Sequence, residues 1–104
     1  MGLEVQLTEF DIIDTQLPAD IGRRDQLVAD AYKRYLELML RIANPTVIAF
    51  WTLSDRRNWL DWAQKSTPKY MRADGAPHRP GLLDADLGEK PAYFAVGTAL
   101  SQSK

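Results

Sequence analysis

Two acidic residues stand in a short run of apolar and β-branched residues near the start of the chain, Val5-Gln6-Leu7-Thr8-Glu9-Phe10-Asp11-Ile12. Side chains two residues apart on a strand point to the same side, so Glu9 and Asp11 form a candidate pair of carboxylates. Two interpretations fit this pair. Composition alone favours strand-end acids that bind water or cap a helix, and the other interpretation is a catalytic carboxylate with a supporting one.

Tryptophans follow the second apolar run of the chain, Val47-Ile48-Ala49-Phe50-Trp51. Trp51 ends that run, and Trp59 and Trp62 come shortly after it. Large aromatic side chains are mostly buried, so core packing is the first interpretation. The second is a platform on which the apolar face of a sugar ring stacks. The position of Trp51 at a strand end favours the platform.

The remaining reactive side chains predict no metal site and no cofactor. The chain has one histidine, His78, and no cysteine, so a zinc site is not expected, and His78 is predicted to be structural or exposed. The segment Asp84-Ala85-Asp86 lacks the glycine and glutamate of a calcium-binding EF-hand and predicts a turn. No glycine-rich phosphate-binding loop follows either apolar run, which argues against a nucleotide-binding fold.

The hydrophobic pattern predicts two strand–helix units in succession. Strands are predicted over residues 3–13 and 46–51, a long helix over 25–43, and a last helix over 90–100. The first strand is nearly continuous in apolar residues, which predicts that both of its faces are covered. The core-facing stripe of the long helix is predicted from its four- and three-residue spacing to be Leu27, Ala31, Tyr35, Leu38 and Ile42.

Composition places the chain among ordinary globular proteins. It has 104 residues, of which 45% are hydrophobic and 26% charged, with a formal net charge of -1. Neither a nucleic-acid nor a membrane partner is expected, and the pairs Arg23-Arg24 and Arg56-Arg57 are interpreted as solvated loop charges. No apolar stretch is long enough to span a membrane, and residues 1–4 lack the features of a signal peptide.

Two parallel strands do not make a stable sheet by themselves. Both edges and both faces of such a pair need cover that this sequence lacks. The predicted fold class is therefore α/β, a βαβα portion of a larger barrel or sheet, which either needs the rest of that structure or self-associates into a homo-oligomer.

Four segments, in order, resemble the C-terminal part of the glycoside hydrolase family 10 xylanases. The segment from Leu7 to Ile12 is similar to the family's strand-seven motif, Thr-Glu-(Leu or Phe)-Asp. Trp51 and Trp59 are similar to the paired tryptophans of its strand-eight motif. Residues 79–84 and 90–93 are similar to its closing loop and the start of its last helix. The resemblance covers essentially the whole chain.

The resemblance implies that residues 1–104 form strands seven and eight of a (β/α)8 barrel in a retaining endo-1,4-β-xylanase. Glu9 would be the nucleophile, and Asp11 the supporting carboxylate that orients a histidine. Trp51 and Trp59 would wall the sugar subsite at the cleavage point. The implied partner is xylan or a xylo-oligosaccharide, and the implied location is extracellular or periplasmic.

The sequence departs from the family pattern at identifiable places. The acid/base glutamate of the family belongs to an Asn-Glu motif, and no such motif occurs here. Thr52 stands where the family commonly has glycine, which is expected to narrow or reshape the wall beside Trp51. The competing hypothesis is therefore a catalytically inactive, truncated module that binds xylan or only self-associates.

Overall fold

The computed structural model of the protein describes residues 2–102. Its strands are β1 (Gln6–Phe10) and β2 (Val47–Phe50), and its helices are α1 (Ile21–Ile42), α2 (Trp59–Ala63) and α3 (Pro91–Gln102). Two 3-10 turns, Asp55–Arg57 and Pro68–Tyr70, flank α2. The predicted order of strand, long helix, strand and final helix is therefore found.

The two strands pair in parallel, as a right-handed strand–helix–strand unit requires. Leu7 pairs with Ile48 and Phe10 with Phe50, but the register shifts between Leu7 and Phe10. The inward side chains of both strands are partly buried, while Gln6, Thr8, Val47 and Ala49 are exposed. Only one face of the sheet is thus covered by the described residues. Cover on the second face, which the apolar run of the first strand predicts, stays a prediction about the rest of the barrel.

The core lies between α1, α3 and the covered face of the sheet. Its buried members come from α1 and α3 together with Leu82, and they are Val28, Ala29, Tyr32, Leu36, Ala92, Val96 and Ala99. The rings of Phe10, Tyr32 and Phe50 pack together with centroids 5.1 to 5.9 Å apart. This aromatic cluster joins the C-terminal ends of both strands to the middle of α1.

The predicted inner stripe of α1 is wrong. Tyr35 is 54% exposed and Ile42 is 67% exposed, and the buried side chains lie one position further along the helix at Val28, Tyr32 and Leu36. The helix is apolar on more than one side, so the spacing of its apolar residues does not decide which side packs. α1 also begins before the predicted residue 25, because the Asp20 side chain caps it by accepting the Arg23 N–H at 2.8 Å.

The interpretation of Arg24 as a solvated charge is also wrong. Arg24 lies in the first turns of α1 and is buried, with Asp14 and Asp74 each 3.8 Å from its guanidinium.

The segment after β2 contains regular structure. It contains α2 and both 3-10 turns, and Leu83 bridges to Ser54 and to Glu89.

The outline of the chain is elongated. Its extents are 46 × 27 × 21 Å and its radius of gyration is 14.4 Å, whereas a closed domain of this length has a radius of gyration of about 13 Å. No helix among residues 2–102 combines the length and the apolar character needed to cross a membrane.

We expect the 104-residue chain to self-associate. The outer stripe of α1, defined by Tyr35, Leu38 and Ile42, is exposed together with both strand edges. Burying apolar surface is worth about 25 cal/mol per Å², so a second copy that covers this stripe lowers the free energy. Sedimentation at several concentrations should show a shift to larger species.

Paired lysine substitutions at Tyr35 and Ile42 should weaken this association, because they place charge on the outer stripe. Lysine at the exposed Gln26 is the matched control and should leave it unchanged. A compact monomer with a cooperative unfolding transition at micromolar concentration would contradict the expectation.

Candidate active site at the strand ends

Glu9 lies at the C-terminal end of β1 and is exposed. Its backbone φ is +54°, in the left-handed region that non-glycine residues rarely adopt. This conformation coincides with the register shift between Leu7 and Phe10. The simple alternation of side chains assumed for Glu9 and Asp11 therefore does not extend through this segment. Strained backbone of this kind is often found at functional sites.

Asp11 follows β1 directly, and its carboxylate is held by three side-chain donors. The Trp59 indole donates to Oδ2 at 2.6 Å, the Thr52 hydroxyl to the same oxygen at 3.0 Å, and the Tyr32 hydroxyl to Oδ1 at 3.0 Å. Burial raises the pKa of Asp11, and these hydrogen bonds oppose the increase. Asp11 thus ties the end of β1 to α1, to the residue after Trp51 and to α2.

The tryptophans differ in their surroundings. Trp51 follows β2 and is 53% exposed, and its backbone N–H donates to the Phe10 carbonyl at 3.0 Å, so it adjoins the end of β1. Trp59 is half-buried, with its ring against that of Tyr70 at 5.1 Å between centroids. Trp62 is 72% exposed. A sugar platform needs an exposed aromatic side chain, and Trp51 is exposed at the strand ends; its role in binding a sugar stays a prediction.

Thr52 turns inward, away from the exposed face of Trp51. It is 1% exposed, and its hydroxyl donates to Asp11. Its side chain therefore contacts Asp11. These contacts do not support the expectation that Thr52 narrows or reshapes the wall beside Trp51.

A buried carboxylate that the sequence analysis did not single out, Asp14, anchors the segment after β2. Its Oδ1 atom lies 2.7 Å from His78 Nδ1, and its Oδ2 atom accepts the Arg79 N–H at 2.8 Å. The other ring nitrogen of His78 lies 3.1 Å from Gln64 Oε1. His78 is thus buried and structural, one of the two outcomes predicted for it.

Arg72 ties the same two regions together. Its guanidinium donates to the backbone carbonyls of Asp14, Leu17 and Pro18, and it pairs with Asp74 at 2.7 Å. The pairing lowers the pKa of Asp74 to about 2. One sequence signal indicates this network: Asp14 directly follows two apolar residues, Ile12-Ile13. An acid next to apolar residues can be buried with them, and a buried acid needs hydrogen-bond or ionic partners.

A second ionic cluster joins α1, the segment after β2 and α3. Arg79 binds Asp25 through two hydrogen bonds of 2.9 and 2.8 Å, and Lys90 lies 2.9 Å from Asp55. Asp55 also accepts the Gly81 N–H at 2.8 Å. Burial raises the pKa of Asp55, and Lys90 opposes the increase. A Cβ atom at Gly81 would lie 3.0 Å from Asp55, so this close approach depends on glycine.

The turn predicted at Asp84-Ala85-Asp86 is confirmed, since Asp84 Oδ1 accepts the N–H groups of Asp86 and Gly88 at 2.9 and 2.8 Å. These bonds lower the pKa of Asp84. Residues 2–102 contain no group of three or more histidine, aspartate or glutamate side chains placed to hold a metal ion.

The model of the family described as "Glycosyl hydrolase family 10" matches residues 1–99. The chain belongs to glycosyl hydrolase family 10. Among curated proteins of known function, it is 29% identical over 98 residues to endo-1,4-beta-xylanase B of Thermotoga neapolitana, covering 92% of this chain and 25% of that protein. The resemblance read from the sequence is thereby confirmed. The chain spans about a quarter of the length of this relative.

Solved structures of family 10 xylanases share the fold. Native xylanase 10B of Thermotoga maritima superposes with a TM-score of 0.70 at 20% identity, covering 97% of this chain and 28% of that one. Xylanase 10C of Cellvibrio japonicus, a mutant in complex with xylopentaose, gives 0.77 at 21%, covering 99% and 22%. The predicted α/β portion of a family 10 barrel is confirmed. Its assignment to strands seven and eight, its extent over residues 1–104 and its self-association stay predictions.

Neutralising Asp14 should strongly destabilise the chain. In Asp14→Asn the buried Arg24 loses one of the two carboxylates that lie 3.8 Å from its guanidinium, and removing one partner of a buried ion pair costs about 3 kcal/mol or more. Urea denaturation followed by tryptophan fluorescence would measure the lost free energy of unfolding. Asp30→Asn, at an exposed acid on α1, is the control and should change it by less than about 0.5 kcal/mol. Equal stability of both variants would show that the Asp14 network contributes little.

Proposed function

We propose that this chain supplies the nucleophile and part of the substrate wall of a retaining endo-1,4-β-xylanase. The observation that carries the proposal is the exposed Glu9, held in a left-handed backbone conformation at a strand end of a family 10 chain. The exposed Trp51 lies at the neighbouring strand end and supports it. Glu9 would attack the anomeric carbon of a xylose unit as the glycosidic bond to the leaving sugar breaks, and the leaving oxygen would take a proton from the acid/base residue. The product of this step is the glycosyl–enzyme intermediate, which water then hydrolyses.

The general acid/base residue would come from outside the 104 residues. Retaining enzymes place it about 5–5.5 Å from the nucleophile, and none of the four glutamates of this sequence follows an asparagine. The histidine that Asp11 would orient is not His78, because both ring nitrogens of His78 already contact Asp14 and Gln64. In this proposal that histidine also comes from outside the 104 residues. Asp11 remains the supporting carboxylate.

The tryptophans take different parts in the proposed substrate wall. Trp51 offers its exposed face to a sugar ring, and Trp59 is oriented by its indole bond to Asp11. The link from Asp11 to Trp59 couples the carboxylate after the nucleophile to the wall. The Cellvibrio enzyme was solved with xylopentaose and a Thermotoga petrophila relative with xylobiose, which favours xylo-oligosaccharides or xylan as the substrate class here. An extracellular or periplasmic location stays a prediction.

The second candidate is a catalytically inactive module that binds xylan or only associates with itself. The exposed rings of Trp51 and Trp62 favour it, because aromatic faces bind sugars without any catalytic group. The test is whether insoluble xylan removes the chain from solution. Removal that disappears in Trp51→Ala but persists in Glu9→Gln would support binding without catalysis.

In an intact barrel, Glu9→Gln should abolish turnover. The barrel is made by placing residues 2–102 in the equivalent segment of the Thermotoga neapolitana xylanase B. The amide has the shape of the carboxylate but cannot attack, so kcat should fall by about a thousandfold or more. Xylan hydrolysis measures the loss, and circular dichroism checks the fold. Glu4→Gln, at an exposed glutamate before β1, is the matched control and should retain activity. Near-normal activity of Glu9→Gln would place the nucleophile elsewhere.

The 104-residue chain alone should not hydrolyse xylan at a useful rate, because departure of the sugar leaving group needs a protonated acid in addition to the nucleophile. Reducing-sugar release is the measurement. Slow turnover of an activated aryl xyloside is compatible with this expectation, since such leaving groups need little acid assistance. Rapid release from xylan by the pure chain, unchanged in Glu9→Gln, would contradict both the expectation and the role of Glu9.

A further inference from the structure

Thr52 is buried beside an exposed aromatic side chain. Trp51 is 53% exposed, yet Thr52 is 1% exposed and its hydroxyl lies 3.0 Å from Asp11 Oδ2. The hydroxyl has no other acceptor among the hydrogen bonds of residues 2–102. A glycine at this position would have no side chain to make this bond.

The donors around Asp11 are not equivalent. The Tyr32 hydroxyl carries a single proton, and it lies 2.6 Å from the Pro80 carbonyl and 3.0 Å from Asp11 Oδ1. Both oxygens act as acceptors, so the two compete for that proton, and the Pro80 carbonyl is the nearer of them. The Trp59 indole and the Thr52 hydroxyl have no such competitor, and both donate to Oδ2. These two are the dedicated side-chain donors of Asp11.

We propose that Thr52 is a positioning residue, whose hydroxyl acts with the Trp59 indole to fix Asp11 Oδ2 and to hold this carboxylate in its charged form. With Oδ2 engaged twice, Oδ1 is the oxygen with spare acceptor capacity, available to a donor from elsewhere in the barrel. The chemical role of Asp11 rests on the proposed function. The hydrogen-bond relation between Thr52 and Asp11 does not, because it is present in the chain itself.

The surroundings of Asp11 explain why the Thr52 hydroxyl affects the pKa of this carboxylate. Burial raises the pKa of Asp11, and the Thr52 hydrogen bond is among the contacts that lower it. The other titratable groups near it are Tyr32 on α1, Glu9 on β1 and Asp55 after β2, which acts on Tyr32. After burial, the largest effects on the pKa of Asp11 are the hydrogen bonds from Trp59, Thr52 and Tyr32, and all three lower it. Hydrogen bonds are therefore what mainly opposes the effect of burial on this carboxylate.

The Trp59 indole reports the ionisation of Asp11, because its N–H donates directly to the carboxylate. In ¹⁵N-labelled chain, the indole resonance of Trp59 should titrate with Asp11, and Asp11→Asn should abolish that titration. Thr52→Val keeps the shape but removes the hydroxyl, so the midpoint should rise by about one pH unit. Thr52→Ser should restore the original midpoint. Thr98→Val, at an exposed threonine of α3, is the matched control and should not move it.

A merely structural role of Thr52 would change stability without moving the midpoint. A midpoint in Thr52→Val within about 0.2 pH units of the parent, or a failure of Thr52→Ser to restore it, would overturn the proposal. Should Thr52→Val not fold, the reciprocal change decides the matter. Threonine placed at the equivalent glycine of an intact family 10 xylanase should lower the corresponding midpoint by about one pH unit, and no change there would overturn it equally.

Activity separates this inference from the proposed function. If Glu9→Gln leaves the barrel active but the Thr52 variants move the indole midpoint as expected, the nucleophile assignment fails and the positioning relation stands. If Glu9→Gln abolishes turnover but the midpoint does not move, the reverse holds.

Discussion

A carboxylate removed from water must be given hydrogen-bond donors, and this constraint organises the molecule. Asp11 and Asp14 both follow β1 and both lose most of their contact with solvent. The helix between the strands and the long segment after β2 supply the donors. That segment therefore folds back over the ends of the sheet instead of projecting as a loose loop, and the candidate site is built on the surface that results.

The two carboxylates bind different parts of the chain. Asp14, with its histidine and arginine partners, holds the segment in place, and Asp11 sets the orientation of the side chains nearest the strand ends. Glu9 lies within β1, close to its end, and is exposed. Hydrogen bonds that fix the orientation of side chains close to an accessible acid are one means by which a reactive group is preorganised.

The sequence predicts the elements of the fold better than their packing. Strand and helix order follow from hydrophobic period, and Glu9 and Trp51 follow from motif and position. The inner face of α1 does not follow from the sequence, because the helix carries apolar residues on several sides, and Ile21, Tyr35, Leu38 and Ile42 among them are exposed. The partners of Asp14 could not be read from the sequence either. His78 and Arg79 lie 64 and 65 residues away from it, and only the folded chain brings them together.

The backbone conformation at Glu9 affects which residues are stable at this position. A left-handed conformation at a non-glycine residue costs about 1 kcal/mol or more, and glycine or asparagine would relieve much of it. Glutamate occupies the position of β1 that has this conformation. Replacing it by glycine or asparagine is therefore expected to raise the free energy of unfolding. At Glu9, stability and any chemistry of the carboxylate thus compete for one position.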